Sequence, residues 1–329
     1  MAMPMRLHQI PGLGKPCSDV VLGTGGFGSS VSRDECFSML DAFAAAGGTA
    51  LDTAHVYAAW LPDGDGASER TIGAWLASRG MHERMLVGTK GGHPPLTPPG
   101  GAHLRLDLLD QHLQESLDRL GQSTIDLYWL HRDDDRMPVD EILGVLQPHL
   151  RNGTITAIGA SNWSWQRLEA AQACATARGW TGFSASQINW SLASFAPRHR
   201  FAGGLVGMDA ATLAWHARSG LPQIPYSSQA QGFFAKPLAE AMQRLPIYAH
   251  PGNAARWQRV HELAADTGCS TNALALAWLL GHPQGGYAII GPKNREQLAD
   301  SLTAADIVLS RAQIAGLAPE PDVPGPPAG

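Results

Sequence analysis

Eight short β-prone runs of this chain end, one after another, on a polar side chain or a glycine. The run "TALD" ends on Asp52, with Tyr57 five residues further on. "MLVGTK" ends on Lys90, "IDLYWLH" on His131, and "ITAIGASN" on Ser161 and Asn162. "FSASQ" ends on Gln187, Tyr226 lies in "LPQIPYSS", and "YAIIG" ends on Gly291. A carboxylate, a phenol, an ammonium and an imidazole are groups from which proton-transfer sites are assembled. The Asp52–Tyr57 spacing leaves two readings: the acid closing a nucleotide-binding strand, or half of an acid–base site. Taken singly, a Lys or His at a strand end reads as a solvated rim residue. A polar group at nearly every strand end is not explained by core packing.

These runs alternate with helical patterns. Leu106, Leu109, Leu113, Leu117 and Leu120 recur at spacings of three and four, an amphipathic helix. Ser32 and Glu35 have capping-box spacing ahead of the first helix, and Gly47 and Gly80 stand where helices stop. Two prolines weaken the strand reading of "LPQIPYSS". Eight β/α units predict a closed (β/α)8 TIM barrel, with a small N-terminal β-hairpin in "MRLHQIPGLGKPCSDVVLG" and an extra C-terminal helix. Residues 1–329 read as one domain, with 319–329 a loose Pro/Gly-rich tail. In such barrels the chemistry sits at the C-terminal ends of the strands. Strand parity then aims Lys90, Gly88 and Leu86 inward together, likewise His131, Trp129 and Leu127, with Ala50 inward below Asp52. Small Ala50 and Gly88 beside bulky Trp129 suit a tapering interior.

Other features narrow the function. The net charge of -5 is spread without long runs, which argues against nucleic acid. Cys17, Cys36, Cys174 and Cys269 are scattered, with no C-x-x-C pair, and free thiols suit a reducing cytoplasm. No signal-peptide core and no run of about 18 apolar residues is visible, so no membrane span is expected. Gly23-Thr24-Gly25-Gly26-Phe27-Gly28 matches a dinucleotide fingerprint, and Asp52 stands near the place of its ribose-binding acid. Against that reading, Ser29, Ser30 and Val31 intervene before the helix begins, and the βα rhythm runs on to eight. Asp133, Asp134 and Asp135 are consecutive in a loop and without a second ligand cluster, so no metal is expected.

At these residues the chain resembles the aldo-keto reductase family. The matching pieces are "LDTAHVY", "GASERTIGAWL", "VGTKGG", "IDLYWLH", "NGTITAIGASN", "SQINWSL", "YSSQAQGFF" and "IIGPKNREQL", in family order along almost the whole chain. The resemblance implies a barrel that binds NADPH across its mouth, with NADH possible, and reduces a small-molecule carbonyl to an alcohol. It implies a catalytic tetrad of Asp52, Tyr57, Lys90 and His131. A free phenol has a pKa of about 10, and a neighbouring Lys90 cation is expected to lower it. At ~4 Å and an effective dielectric of about 20, that contact is on the order of 4 kcal/mol before desolvation.

By the same resemblance, Ser161, Asn162 and Gln187 would hold the carboxamide, and Tyr226 would stack on the nicotinamide. Thr24 and Gly25 would line the first loop, and Ser227, Gln231 and Gly232 the pyrophosphate. Gly291, Lys293, Asn294, Gln297 and Ser301 would line the adenosine end, Lys293 and Arg295 facing a 2′-phosphate. The family has Pro and Leu where this chain has Ser228 and Gln229, and Asn where it has Ser301. Trp60, Trp163 and Trp190 are candidate substrate contacts, with loop anchoring as the alternative. Two other readings of the barrel are a cofactor sensor without turnover and a Schiff-base aldolase using Lys90.

Overall fold

The structure is a computed structural model and describes residues 5–96, 101, 103–196, 199 and 203–318. The expected tail at 319–329 lies outside the described residues. A two-stranded antiparallel hairpin, β1 (Leu7–His8) and β2 (Cys17–Ser18), comes first. Parallel strands and helices then alternate: β3 (Val20–Gly23), α1 (Arg33–Ala45), β4 (Ala50–Asp52), α2 (Ala67–Arg79), β5 (Leu86–Gly91), α3 (Leu109–Leu120) and β6 (Ile125–Leu130). They continue as α4 (Val139–Arg151), β7 (Ile155–Ser161), α5 (Trp165–Arg178), β8 (Ala185–Gln187) and α6 (Ala210–Ser219). Helices α7 (Leu238–Arg244), α8 (Pro251–Thr267) and α9 (Thr271–Gly281) precede β9 (Ala288–Ile290), α10 (Arg295–Leu302) and α11 (Arg311–Leu317).

The strands lie in the order β8-β7-β6-β5-β4-β3-β9. The seventh stave of the barrel is not a strand but an extended segment between β8 and β9. Ile224 N donates to Ser186 O at 2.8 Å, Tyr226 N to Ile188 O at 3.1 Å, and Ile289 N to Pro225 O at 2.9 Å, closing the (β/α)8 ring. Pro222 and Pro225 have no N–H to give, which explains why a full ladder does not form there.

The parity expectation holds. Val21, Ala50, Leu86, Leu127, Trp129, Ala157, Ala185, Ile224 and Ile289 form one buried interior cluster. Trp129 crosses two strands at once: a Cβ on Gly88 would lie 2.9 Å from its Nε1, and a Cβ on Gly159 would overlap its ring. Ile10, Leu13 and Cys17 from the hairpin region join the cluster from below. Lys15 fastens that end by donating to Asp126 Oδ2 at 3.0 Å and to His82 O at 2.8 Å. The outer core lies between strands and helices; α9 buries Ala273–Leu280 completely within it.

Most helix ends behave as their sequences suggest. Gly80 ends α2 at φ 62, and Gly47, just beyond α1, has φ 88. The capping box at α1 forms only by half. Ser32 accepts from Glu35 N, but the Glu35 carboxylate accepts instead from Arg295 N at 2.7 Å, 260 residues away. Among the described residues, no helix is long and apolar enough to cross a membrane.

Candidate active site

Strand register brings the polar strand ends together. Asp52 pairs with Gly23 on one side and Gly88 on the other. Lys90 is therefore one inward layer above Gly88, opposite Trp129 in the next strand. His131 lies two residues past Trp129, with its N–H on Gly91 O at 3.0 Å. Ser161 pairs with Gln187. The loop after Asp52 is tied down by His55 N on Lys90 O at 3.0 Å and turns back so that Tyr57 N meets Ala54 O at 3.1 Å.

Lys90 is the hub. Its Nζ donates to Asp52 Oδ2 at 2.6 Å, Thr53 O at 2.7 Å and Tyr57 Oη at 2.9 Å. An ammonium has three protons and no lone pair, so all three are committed. The Tyr57 oxygen must accept from Lys90, which leaves the phenol's own proton free to point elsewhere. Asp52 is held from its other side by Gln187 Nε2 at 2.9 Å on Oδ1. The Gln187 amide thus serves the carboxylate, a contact the sequence reading did not foresee. Ser161 Oγ is 3.4 Å from Gln187 Oε1, Asn162 Nδ2 reaches Ser161 Oγ at 3.1 Å, and Tyr226 Oη donates to Asn162 Oδ1 at 2.7 Å. Asn162 adopts φ 62, a left-handed conformation that Asn tolerates better than most residues.

Protonation follows from burial and neighbours. Burial pulls Lys90 down, but the Asp52 carboxylate, helped by the hydrogen bond to Tyr57, holds the ammonium above its ordinary value. Tyr57 corrects the sequence expectation. Burial raises its pKa more than Lys90 lowers it, so the phenol stays protonated past its usual range. His131 is only 8% exposed. Burial first, then the Lys90 and Arg132 cations, keep its imidazole neutral, and its Nδ1 has no hydrogen-bond partner among the described residues. The Tyr57 and His131 rings meet edge-on at 5.9 Å.

A cleft of about 1100 Å³ runs over the mouth from this cluster to the start of α10. Thr24, Gly25, Asp52, Tyr57, Trp60, Tyr226, Ser227, Gln231, Gly232, Gly291, Lys293, Asn294, Gln297 and Ser301 line it. Lys90, His131, Ser161, Asn162 and Gln187 form the layer behind those walls and are all buried. The loop at one wall bends through left-handed Ser227, Ala230, Gln231 and Gly232. Asn294 caps α10, and Lys293 N donates to Gln297 Oε1 at 2.9 Å. The Arg295 guanidinium turns instead onto Ser38 O at 2.8 Å.

The tryptophans divide. Trp60 is 57% exposed and lines the cleft. Trp163 and Trp190 do not offer a face to a ligand here. Trp163 is fully buried, with Nε1 on Arg132 O at 3.1 Å and its ring edge-on to Phe183. Trp190 is packed edge-on against Trp278 and His282. Both indoles are held by aromatic neighbours, Trp163 by Phe183 just before β8 and Trp190 by Trp278 of α9 and His282 beyond it. The departures from the family pattern also find partners. Gln229 Nε2 donates to Ser301 Oγ at 2.9 Å, so two of the departures bond to each other, and Ser228 Oγ donates to Ile289 O at 2.6 Å. Lys236 and Glu296 also line the cleft and were not picked out from the sequence. Among the described residues, His103, Asp134 and Asp135 come close enough to share an ion, but Arg136 already clasps both Asp134 oxygens.

The Aldo/keto reductase family model matches residues 19–318. The chain belongs to that family and is an NAD(P)H-dependent oxidoreductase. It is 30% identical over 303 residues to the oxidoreductase YrpG of Bacillus subtilis, covering 89% of each chain. It is 29% identical over 169 residues to an NADP(+) aryl-alcohol dehydrogenase of Phanerodontia chrysosporium, covering 46% of this chain and 42% of that one. It is 34% identical over 112 residues to the NADP(+) aldo-keto reductase yakc of Schizosaccharomyces pombe, covering 33% of each.

Proposed function

We propose that the protein reduces an aldehyde, ketone or sugar carbonyl to the alcohol, reversibly, using NADPH, with Tyr57 as proton donor. The observation that carries this is the filled valence of Lys90 Nζ, which makes the Tyr57 oxygen an acceptor and leaves its O–H free at the cleft wall. A nicotinamide bound in the cleft would supply a hydride, hydrogen with its electron pair, to the carbonyl carbon. The chain's residues manage the proton. Tyr57 gives it to the carbonyl oxygen, and Lys90, already beside the phenol, stabilises the phenolate that results. Asp52 keeps Lys90 charged and in place, and Gln187 fixes Asp52. Neutral His131 offers a hydrogen bond to the same oxygen as negative charge develops there.

The cleft suits the cofactor in size and lining. It exceeds the volume of an ordinary small-ligand pocket, as a dinucleotide with a substrate requires. Asn162 and Ser161 serve the carboxamide, Tyr226 the nicotinamide face, Thr24 and Gly25 the first loop, and Ser227, Gln231 and Gly232 the pyrophosphate. Gly291, Lys293, Asn294, Gln297 and Ser301 serve the adenosine end, with Lys293 the cation for a 2′-phosphate. NADH is the weaker alternative. A cytoplasmic location accords with four free cysteines. Lys90 is unsuited to a Schiff-base aldolase, because it is held charged.

The test is a cofactor-oxidation screen over aldehydes, ketones and sugars with NADPH and with NADH. Steady carbonyl-dependent NADPH consumption is expected. Tight NADPH binding without turnover of any carbonyl would favour the sensor reading.

A further inference from the structure

We propose that Arg132 determines substrate choice, pairing with an anionic oxygen group, foremost a carboxylate, on the carbonyl compound that Tyr57 protonates. This rests on the proposed role of Tyr57.

Arg132 follows His131 directly at the end of β6. Its half-buried guanidinium turns onto backbone carbonyls of its own strand end and of the loop after β8. Nη1 donates to His131 O at 2.8 Å and Nε to Gly203 O at 2.9 Å. Its own carbonyl is held by Trp163 Nε1 at 3.1 Å, so the residue is pinned at both ends. A guanidinium has five N–H donors. Nη2 has no partner among the described residues, so its two N–H groups are open.

Among the described residues no acid pairs with it. Arg119 and Arg167, whose side chains are 13% and 19% exposed, each bind carboxylates. Arg132 forms no ion pair among the described residues. The groups that feel its field are Tyr57, Tyr226, His131 and His93. His131 and His93 are both held towards the neutral form, and the two phenols are protonated. The nearest acids are engaged: Asp52 by Lys90 and Gln187, and Asp133 by Arg167. Burial pulls the Arg132 guanidinium itself below its ordinary value. A largely desolvated cation with no counter-ion is unfavourable in the empty protein, and an anion arriving with the substrate removes that penalty. The open N–H groups of Nη2 suit an anionic oxygen, as on a carboxylate or a phosphate monoester.

The test uses the full chain with saturating NADPH and two matched pairs: 3- or 4-carboxybenzaldehyde against benzaldehyde, and glyceraldehyde 3-phosphate against glyceraldehyde. At least one anionic member should exceed its neutral partner in kcat/KM by about ten-fold or more. Which pair responds tells carboxylate from phosphate. Arg132→Gln should erase most of that ratio through KM of the anionic member, and Arg132→Lys should restore part of it. Equal kcat/KM within both pairs for the natural protein would overturn the proposal. So would a loss in Arg132→Gln that is the same for charged and neutral aldehydes, or one confined to NADPH affinity. Binding of benzoate against benzamide to the NADPH-loaded natural protein, followed by tryptophan fluorescence, needs neither a folded variant nor turnover. Benzoate no tighter than benzamide contradicts the inference even if no aldehyde is reduced, whereas absent turnover with tighter benzoate sinks only the reductase reading.

Discussion

The two ends of the cleft are built differently. Around Tyr57 the polar groups are largely buried, and most bond across strand ends: Lys90 to Asp52, Asp52 to Gln187, Asn162 to Tyr226. At the start of α10 the side chains are more exposed, and several bond within the helix's own first turn, as Asn294 and Gln297 do. A buried, cross-linked cluster cannot change one member without stranding another. An exposed rim can, and beneath it the two departures, Gln229 and buried Ser301, bond to each other. Substitutions should therefore be severe and coupled to folding at the first end, and mild and confined to cofactor affinity at the second.

The largest effect is expected for Lys90→Met. It leaves Asp52 charged, 4% exposed and without its cation. Loss of one partner from a buried pair costs about 3–5 kcal/mol, readable by urea unfolding, and turnover should fall by about 100-fold or more. A stable Lys90→Met protein with normal turnover would erase the contrast between the two ends.

The pH dependence sharpens the comparison. Tyr57 is active when protonated and is held above its ordinary value, while His131 is held neutral. The rate of reduction should therefore be flat from about pH 6.5 to about pH 10 and fall only beyond the ordinary phenol range. Stability should behave oppositely at the acid side. His112, behind the Tyr57 loop, is pulled down to about 4 by burial and by His55. Between about 6.5 and that value the unfolded chain binds the extra proton, so stability falls as pH drops through this window. A melting temperature independent of pH there would show that His112 is not held neutral.

Smaller effects belong to the rim. Lys293→Ala should weaken NADPH binding by about five-fold, the scale of one exposed ion pair, and leave NADH nearly unaffected. Least of all, Gln229→Ala and Ser301→Ala should each shift NADPH affinity by less than about three-fold, and the double variant should match either single one, since the pair acts as a unit. Additive losses would mean that the two side chains bind cofactor separately.

Much of the reaction end was legible in the sequence. Period-two parity put Lys90 above Gly88 and His131 above Trp129, and chain order alone assigned each to its stave. What was not legible depends on three-dimensional proximity. Glu35 has the right spacing to cap its own helix, but Arg295 N lies closer to its carboxylate. Nothing local separates exposed Trp60 from buried Trp163 and Trp190, because an indole in a loop reads alike in either place. The direction of the Tyr57 shift is set by the amount of protein around the phenol, which no spacing encodes. The gap in the seventh stave was half legible, through Pro222 and Pro225. Arg132 was passed over because what singles it out is that, among the described residues, no acid pairs with it, Asp133 being taken by Arg167.

The most direct measurement is Tyr57→Phe, assayed for carbonyl reduction at saturating NADPH and, in parallel, for NADPH binding by fluorescence titration. The expected result is a fall in turnover of about 100- to 10,000-fold, the range for a lost general acid, with cofactor affinity nearly unchanged. Full turnover by the phenylalanine variant would contradict the account, because the proton would then come from another group.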